Sequence, residues 1–142
     1  MISLDTNVLV RFLLDESEAP GRVDADYVEQ RKAAQRLVHG ALAAGTRVFL
    51  STIVLCELVW VLRIFYKVQK ADVVARLDQL VAATEVVIQD RALVLGALGQ
   101  YRKGRADFAD YLIAESASAA QVEAVYTFDK SALRTAPFRR PA

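Results

Sequence analysis

The chain has one cysteine and one histidine among its 142 residues. Cys56 cannot close an internal disulfide, and zinc sites built on Cys and His spacing are disfavoured. The same shortage disfavours Cys–His and Ser–His–Asp covalent catalysis. No glycine pattern of the GxxxxGK[ST] or GxGxxG kind occurs, so neither a P-loop nor a Rossmann site is indicated. No apolar run is long enough to span a bilayer; the longest, Ile53 to Leu62, is interrupted by Glu57. The amino terminus lacks a basic segment of the signal-peptide kind, so a cytoplasmic location is expected. Neither sign of charge dominates, with 18 basic and 17 acidic residues and a net charge of +1. Repeats and low-complexity segments are also lacking.

What is there reads as a globular protein. The composition is 54% hydrophobic and 25% charged, and the length suits a single domain over residues 1–142 with a real core. Strand-like and helical stretches alternate. Met1 to Leu4 is a short strand, and Asp5-Thr6-Asn7 turns into a helix carrying Val8 to Leu14. Asp15 to Asp26, with Pro20 and Gly21, reads as a loop. Helical spacing runs from about Tyr27 to Ala44, and its lone His39 is assigned no role. Arg47 to Leu50 is a strand. After the next helix come a helix over Ala71–Ala82 and a strand over Glu85–Gln89. Asp90 then caps a helix that Gly96 and Gly99 weaken and Gly104 ends. Another helix opens around Arg105–Asp110 and runs to about Ala120. Val122 to Phe128 is the last clear strand, and the tail is irregular or a short edge. This alternation predicts a parallel sheet covered by helices.

The stretch Ser51 to Tyr66 is the most informative. Its apolar residues leave almost no polar face, which predicts one buried helix with Trp60 in the core and Cys56 as a small buried hydrophobe. Glu57 is the only charge between Ser51 and Leu62. No basic residue stands three or four positions away, so a buried Glu57 would need a partner from elsewhere or a metal.

Other carboxylates meet the same description. Asp5 follows the first strand and Asp129 the last, and ligands of open parallel sheets bind beyond the carboxyl ends of strands. Asp107 and Asp110 are three apart near a helix start, where the helix dipole tolerates negative charge. Taken singly, Asp5 and Asp107 read as caps and Asp129 as a turn residue. Taken together, the five supply oxygen ligands for a hard cation such as Mg²⁺ or Mn²⁺. Setting these five aside leaves eighteen basic residues against twelve acidic ones. Arg102, Lys103, Arg105, Lys130 and Arg134 are then candidates for phosphate contacts, alongside the bland reading of a solvated surface. Carboxylates on a divalent cation, flanked by bases, suit phosphodiester hydrolysis.

These motifs, in this order and at this spacing, resemble the PIN-domain nucleases, and within them the VapC-type toxins. The resemblance rests on Asp5-Thr6-Asn7, on Glu57 in its apolar helix, on Asp107-Phe108-Ala109-Asp110 and on Thr127-Phe128-Asp129-Lys130. It covers nearly the whole chain. It implies a three-layer α/β/α sandwich with a mainly parallel central sheet, and a Mg²⁺- or Mn²⁺-dependent endoribonuclease acting on tRNA or rRNA. It also implies a homodimer, without membrane association, held inactive by a VapB-type antitoxin. By position, Asp5, Glu57, Asp110 and Asp129 match the acidic quartet and Asp107 an additional acid. Thr6, Asn7 and Thr127 match supporting polar positions. The rival reading is a PIN-like module that binds RNA or antitoxin without cutting. Two features depart from the family pattern: the long segment from Asp15 to Glu29, and the Ala120–Ala124 approach to the last strand.

Overall fold

Three short strands rich in β-branched and aromatic residues pair in parallel: β1 (Ile2–Ser3), β2 (Val48–Leu50) and β3 (Val86–Ile88), in the order β1-β2-β3. Ile2 pairs with Val48, and Val48 with Val86. The computed structural model describes all 142 residues, which divide into two compact units, Met1–Gln89 and Asp90–Ala142. Parallel pairing demands long crossovers, and helices supply them. Between β1 and β2 run α1 (Thr6–Leu13) and α2 (Ala25–Ala43). Between β2 and β3 run α3 (Thr52–Trp60) and α4 (Lys70–Ala82). The core of this unit is aliphatic: Leu9, Leu14, Leu50, Leu55, Leu58, Leu62, Val73 and Leu77 are all fully buried.

The Asp5 cap expected for the first helix is in place, and Ser51 caps the third. The Thr6 N–H donates to Asp5 Oδ1 at 2.8 Å, and the Val54 N–H to Ser51 Oγ at 3.3 Å. The segment Asp15 to Asp26 is more than a loop. Asp15 caps a 3₁₀ turn over Glu16–Glu18, and Asp24 caps α2, which begins at Ala25. Arg76 fastens this turn: it donates to the Leu13 carbonyl at 2.8 Å and pairs with Glu18. Arg31 donates to the Leu14 carbonyl at 2.9 Å, so cations satisfy the open carbonyls at the end of α1. His39 stands edge-on against Phe12.

The Ser51–Tyr66 stretch departs most from expectation. It is not one continuous α-helix: after Trp60 it widens into a π-helical turn over Val61–Phe65, where the Tyr66 N–H donates to the Val61 carbonyl at 3.0 Å. Nor is it buried all round. Val54, Leu55, Leu58, Val59 and Leu62 face the core, while Ile53, Glu57, Trp60 and Ile64 form an exposed stripe. Trp60 is 62% exposed rather than a core residue. The reason is that folding penalises buried polar groups far more than exposed apolar ones, so an apolar outer face is tolerated. Cys56 is half-buried, and burial pushes its thiol pKa up with help from the neighbouring Glu57 charge.

The second unit contains α5 (Arg91–Lys103), α6 (Phe108–Ala119) and a two-stranded parallel pair, β4 (Val125–Tyr126) with β5 (Phe138–Arg139). Asp90 stands at the start of α5 in the left-handed region, and its side chain makes no cap. Gly96 stands against α6: a Cβ there would lie 2.6 Å from the Glu115 carboxyl carbon, so the glycine leaves room for that carboxylate. At Gly104 a side chain would overlap the Tyr111 ring. That close approach lets the Ala106 N–H donate to the Tyr111 hydroxyl at 3.3 Å. The α5–α6 turn is thereby fixed, and α6 begins at Phe108, later than expected. The last clear strand is shorter than the stretch Val122 to Phe128. Gln121 takes a positive φ, and the Val122 N–H donates back to the Ala117 carbonyl at 2.8 Å, so the end of α6 absorbs these residues. Tail residues Phe138 and Arg139 form an edge strand, and Phe138 packs with Ala114, Ala132 and Val125.

Candidate metal and nuclease site

Strand ends and helix starts place Asp5, Asp107, Asp110 and Asp129, while Glu57 lies within α3; two of the five are in the first unit and three in the second. In the first unit Asp5 comes immediately after Leu4 at the carboxyl end of β1 and caps α1. The Thr6 side chain is buried, at 7% exposure. Its hydroxyl donates to Glu57 Oε2 at 2.5 Å, linking α1 to α3. Glu57 itself is exposed, not buried as its apolar neighbours suggest. It lies on the solvent-facing stripe of α3, one turn before Trp60, so no buried charge has to be compensated. Asp5, Asn7 and Glu57 share the wall of a cavity of about 500 Å³, together with Thr6, Val10, Arg11, Trp60, Val61, Phe65 and Tyr66.

In the second unit Asp107 precedes α6, and its backbone N–H donates to Asp110 Oδ2 at 3.1 Å. Asp110 is half-buried. Burial pushes its carboxyl above the usual range, and the charges of Asp107 and Asp129 push in the same direction against that hydrogen bond. Asp110 thus feels both of the other acids. Asp129 is exposed and well satisfied. Its Oδ1 accepts from the Ser131 hydroxyl at 2.5 Å, the Ser131 N–H at 2.7 Å and the Ala132 N–H at 3.0 Å. The Ser131 hydroxyl contributes most to holding its pKa below the usual range. Thr127 Oγ1 accepts from the Asp129 N–H at 3.0 Å, a contact to its backbone rather than to its carboxylate.

The donors fit a hard divalent cation in kind, being carboxylate and hydroxyl oxygens without thiolate or imidazole. In number each unit by itself falls short: within neither do three His, Cys, Asp or Glu side chains stand close enough to hold an ion. The basic candidates Arg102, Lys103, Arg105, Lys130 and Arg134 are all exposed. Arg102 and Lys103 lie in the last turn of α5, where positive charge also complements the helix dipole.

Sequence reasoning missed Ser131 and Arg11, and it placed Trp60 in the core. Ser131 had a local signal, since a hydroxyl two residues after an Asp is a common turn partner. Arg11 had none beyond its position one turn after Asn7. Its guanidinium stands 4.6 Å from the centre of the Tyr27 ring and donates to Gln30 at 2.9 Å.

No helix is long and apolar enough to cross a membrane. Comparison with known proteins finds no match among curated proteins and none among solved structures. A family model does match, that of the PIN domain, over residues 2–137. The match takes in both units, all five carboxylates and the α/β class expected of a parallel sheet with helical crossovers. The chain belongs to the PIN-domain family, a nuclease-type fold whose enzymes are generally metal-dependent.

Proposed function

We propose that this protein is a Mg²⁺- or Mn²⁺-dependent endoribonuclease and the toxin of a type II pair of the VapBC kind. The observation that carries the reading is the acid set. Every carboxylate the PIN resemblance requires is present, and Asp110 lies in a field of like charge that a cation would relieve. Asp5, Asp107 and Asp110 are the residues that would hold the main ion. Glu57 and Asp129 would bind it through water or hold a second. A bound Mg²⁺ or Mn²⁺ supplies a water of lowered pKa and neutralises charge at the phosphate.

The chain's own residues do the positioning. Thr6 fixes one oxygen of Glu57, while Ser131 and the Ala132 N–H hold Asp129 as a carboxylate. Arg102, Lys103, Arg105, Lys130 and Arg134 would contact the RNA backbone, with tRNA or rRNA as substrate. The partners would be a second copy of the chain and a VapB-type antitoxin. A second cavity of about 390 Å³, walled by Ala33, Ala34 and Leu37 of α2 with Asn7, Val8 and Arg11 of α1, suits the apolar face of such a partner's helix.

The test compares wild type with Asp5→Asn and Asp110→Asn on purified tRNA and rRNA with millimolar Mg²⁺ or Mn²⁺. Cleavage should fall at least about 100-fold in each variant, and growth arrest on expression should disappear. Equal cleavage and equal arrest in all three proteins would overturn the reading. A rival deserves weight because neither unit alone groups three ligands: a PIN-like module that binds RNA or antitoxin without cutting. Calorimetric titration separates the two, since the module predicts no heat with Mg²⁺ or Mn²⁺.

A further inference from the structure

We infer that the cavity walled by Trp60, Phe65 and Tyr66 is a subsite for an unpaired nucleobase of the RNA substrate. The inference rests on the nuclease reading and adds a residue-level contact to it. Three aromatic side chains line one cavity of about 500 Å³, a size ordinary for small-molecule sites. Two of them leave their rings in solvent: Trp60 is 62% and Phe65 58% exposed. Such rings are tolerated singly on any surface, but here they converge on a concave wall with Asp5, Asn7, Arg11 and Glu57.

That mixture matches the chemistry of a base. A nucleobase offers two apolar π-faces and an edge of donors and acceptors, and stacking on aromatic rings is the usual way an unpaired base is held. Phe65 and Tyr66 are set edge-to-face at 5.3 Å, so the platform is formed in advance. Tyr66 remains a phenol throughout the working range: burial first, and then the neighbouring Tyr27, push its pKa up to about 12. Asn7 presents an amide, which can both donate to and accept from a base edge. Arg11 supplies a cation on the same wall, offsetting the carboxylates. Asp5 and Glu57 share this wall, so a base seated on Trp60 would belong to a nucleotide near the scissile phosphate.

Trp60 is the only tryptophan, so its emission reports on this wall alone. The experiment titrates the Asp110→Asn protein, whose cavity residues are intact, with a single-stranded oligoadenylate and with an abasic oligomer of the same length. Saturable quenching of Trp60 by the oligoadenylate and none by the abasic strand is the expected result. Anisotropy of a labelled strand should show binding about tenfold weaker in Trp60→Ala and in Phe65→Ala, and retained in Trp60→Phe. Binding without quenching, or equal binding of the abasic strand, would overturn the subsite. So would Trp60 emission that is already blue-shifted and shifts with protein dilution, which marks a second copy on that face. Cleavage by wild type with any of these outcomes leaves the nuclease reading standing and removes the subsite alone. Loss of both cleavage and binding removes the two together.

Discussion

The two units hold their acids by opposite means. In Met1–Gln89 the exposed Glu57 is restrained by the buried hydroxyl of Thr6, one donor reaching from a neighbouring helix. In Asp90–Ala142, Asp110 is half-buried with two like charges acting on it, while Asp129 is wrapped by three donors from its own turn. One arrangement orients a carboxylate without burying it. The other leaves one acid short of stabilisation beside another that has ample. A cation would change the second unit's balance more than the first's, because that is where charge repulsion is unrelieved.

The largest effect that would sharpen this contrast is at Thr6. Thr6→Val keeps the shape but removes the hydroxyl that donates to Glu57. Divalent-metal affinity should fall roughly 10–100-fold, and stability should drop by about 1 kcal/mol. Ser131→Ala removes one of three donors to Asp129 and should weaken metal binding far less. Calorimetric titration of both variants checks the ordering, and equal losses would mean the two acids are not held differently.

Of comparable size is the response to metal. At about a hundred times its Kd, Mg²⁺ or Mn²⁺ should stabilise the protein by about 2.7 kcal/mol. For a chain of this size that is a rise in Tm of roughly 5–10 °C. Asp110→Asn should abolish most of it in a thermal melt, and an unchanged wild-type Tm at millimolar metal would count against a preformed site.

The smallest effects concern pH without metal, and they carry opposite signs. Asp110 has a raised folded pKa, so the folded state holds its proton more tightly, and stability is lost as pH rises through that raised value. Asp110→Asn should therefore melt slightly higher than wild type at neutral pH, with the gap closing as the pH falls into the carboxylate range. Asp129 has a lowered folded pKa, so its contribution is present above the ordinary Asp value and is lost as pH falls through the depressed one. Asp129→Asn should melt lower at neutral pH, again with the gap closing in acid. Melting curves at a series of pH values decide both, and equal signs would break the comparison.

The parts legible in the sequence were those whose signal is local. Asp5 and Ser51 follow short strands and cap helices through contacts within three residues, so type and position agree. The parallel sheet followed from strand and helix alternation, and Asp5 at the end of β1 followed with it, whereas Asp129 follows β4, which pairs only with β5. Glu57 was misjudged because its environment is set by which face of α3 meets the core. A helix apolar on every side carries no phase information to say so. Thr6 could be named as a supporting residue, but its partner lies 51 positions away and had no signal. The Val122 backbone was claimed by the end of α6 through a positive φ at Gln121, a residue type that gives little warning of it. The π-helical turn left no mark in composition at all.

That turn at Val61–Phe65 has a counting consequence. A π-turn accommodates one residue more than the α-helix it interrupts, and each residue advances the helix by about 100°. The helix ends with this turn, so the shift falls on Phe65 and Tyr66, which leave the path set by Val54, Leu58 and Leu62. Phe65 lies within this widened turn and Tyr66 closes it, and both line the wall that holds Trp60. Deleting one residue there would restore a regular helix without removing any aromatic ring. The composition of the wall would survive, and the wall would not.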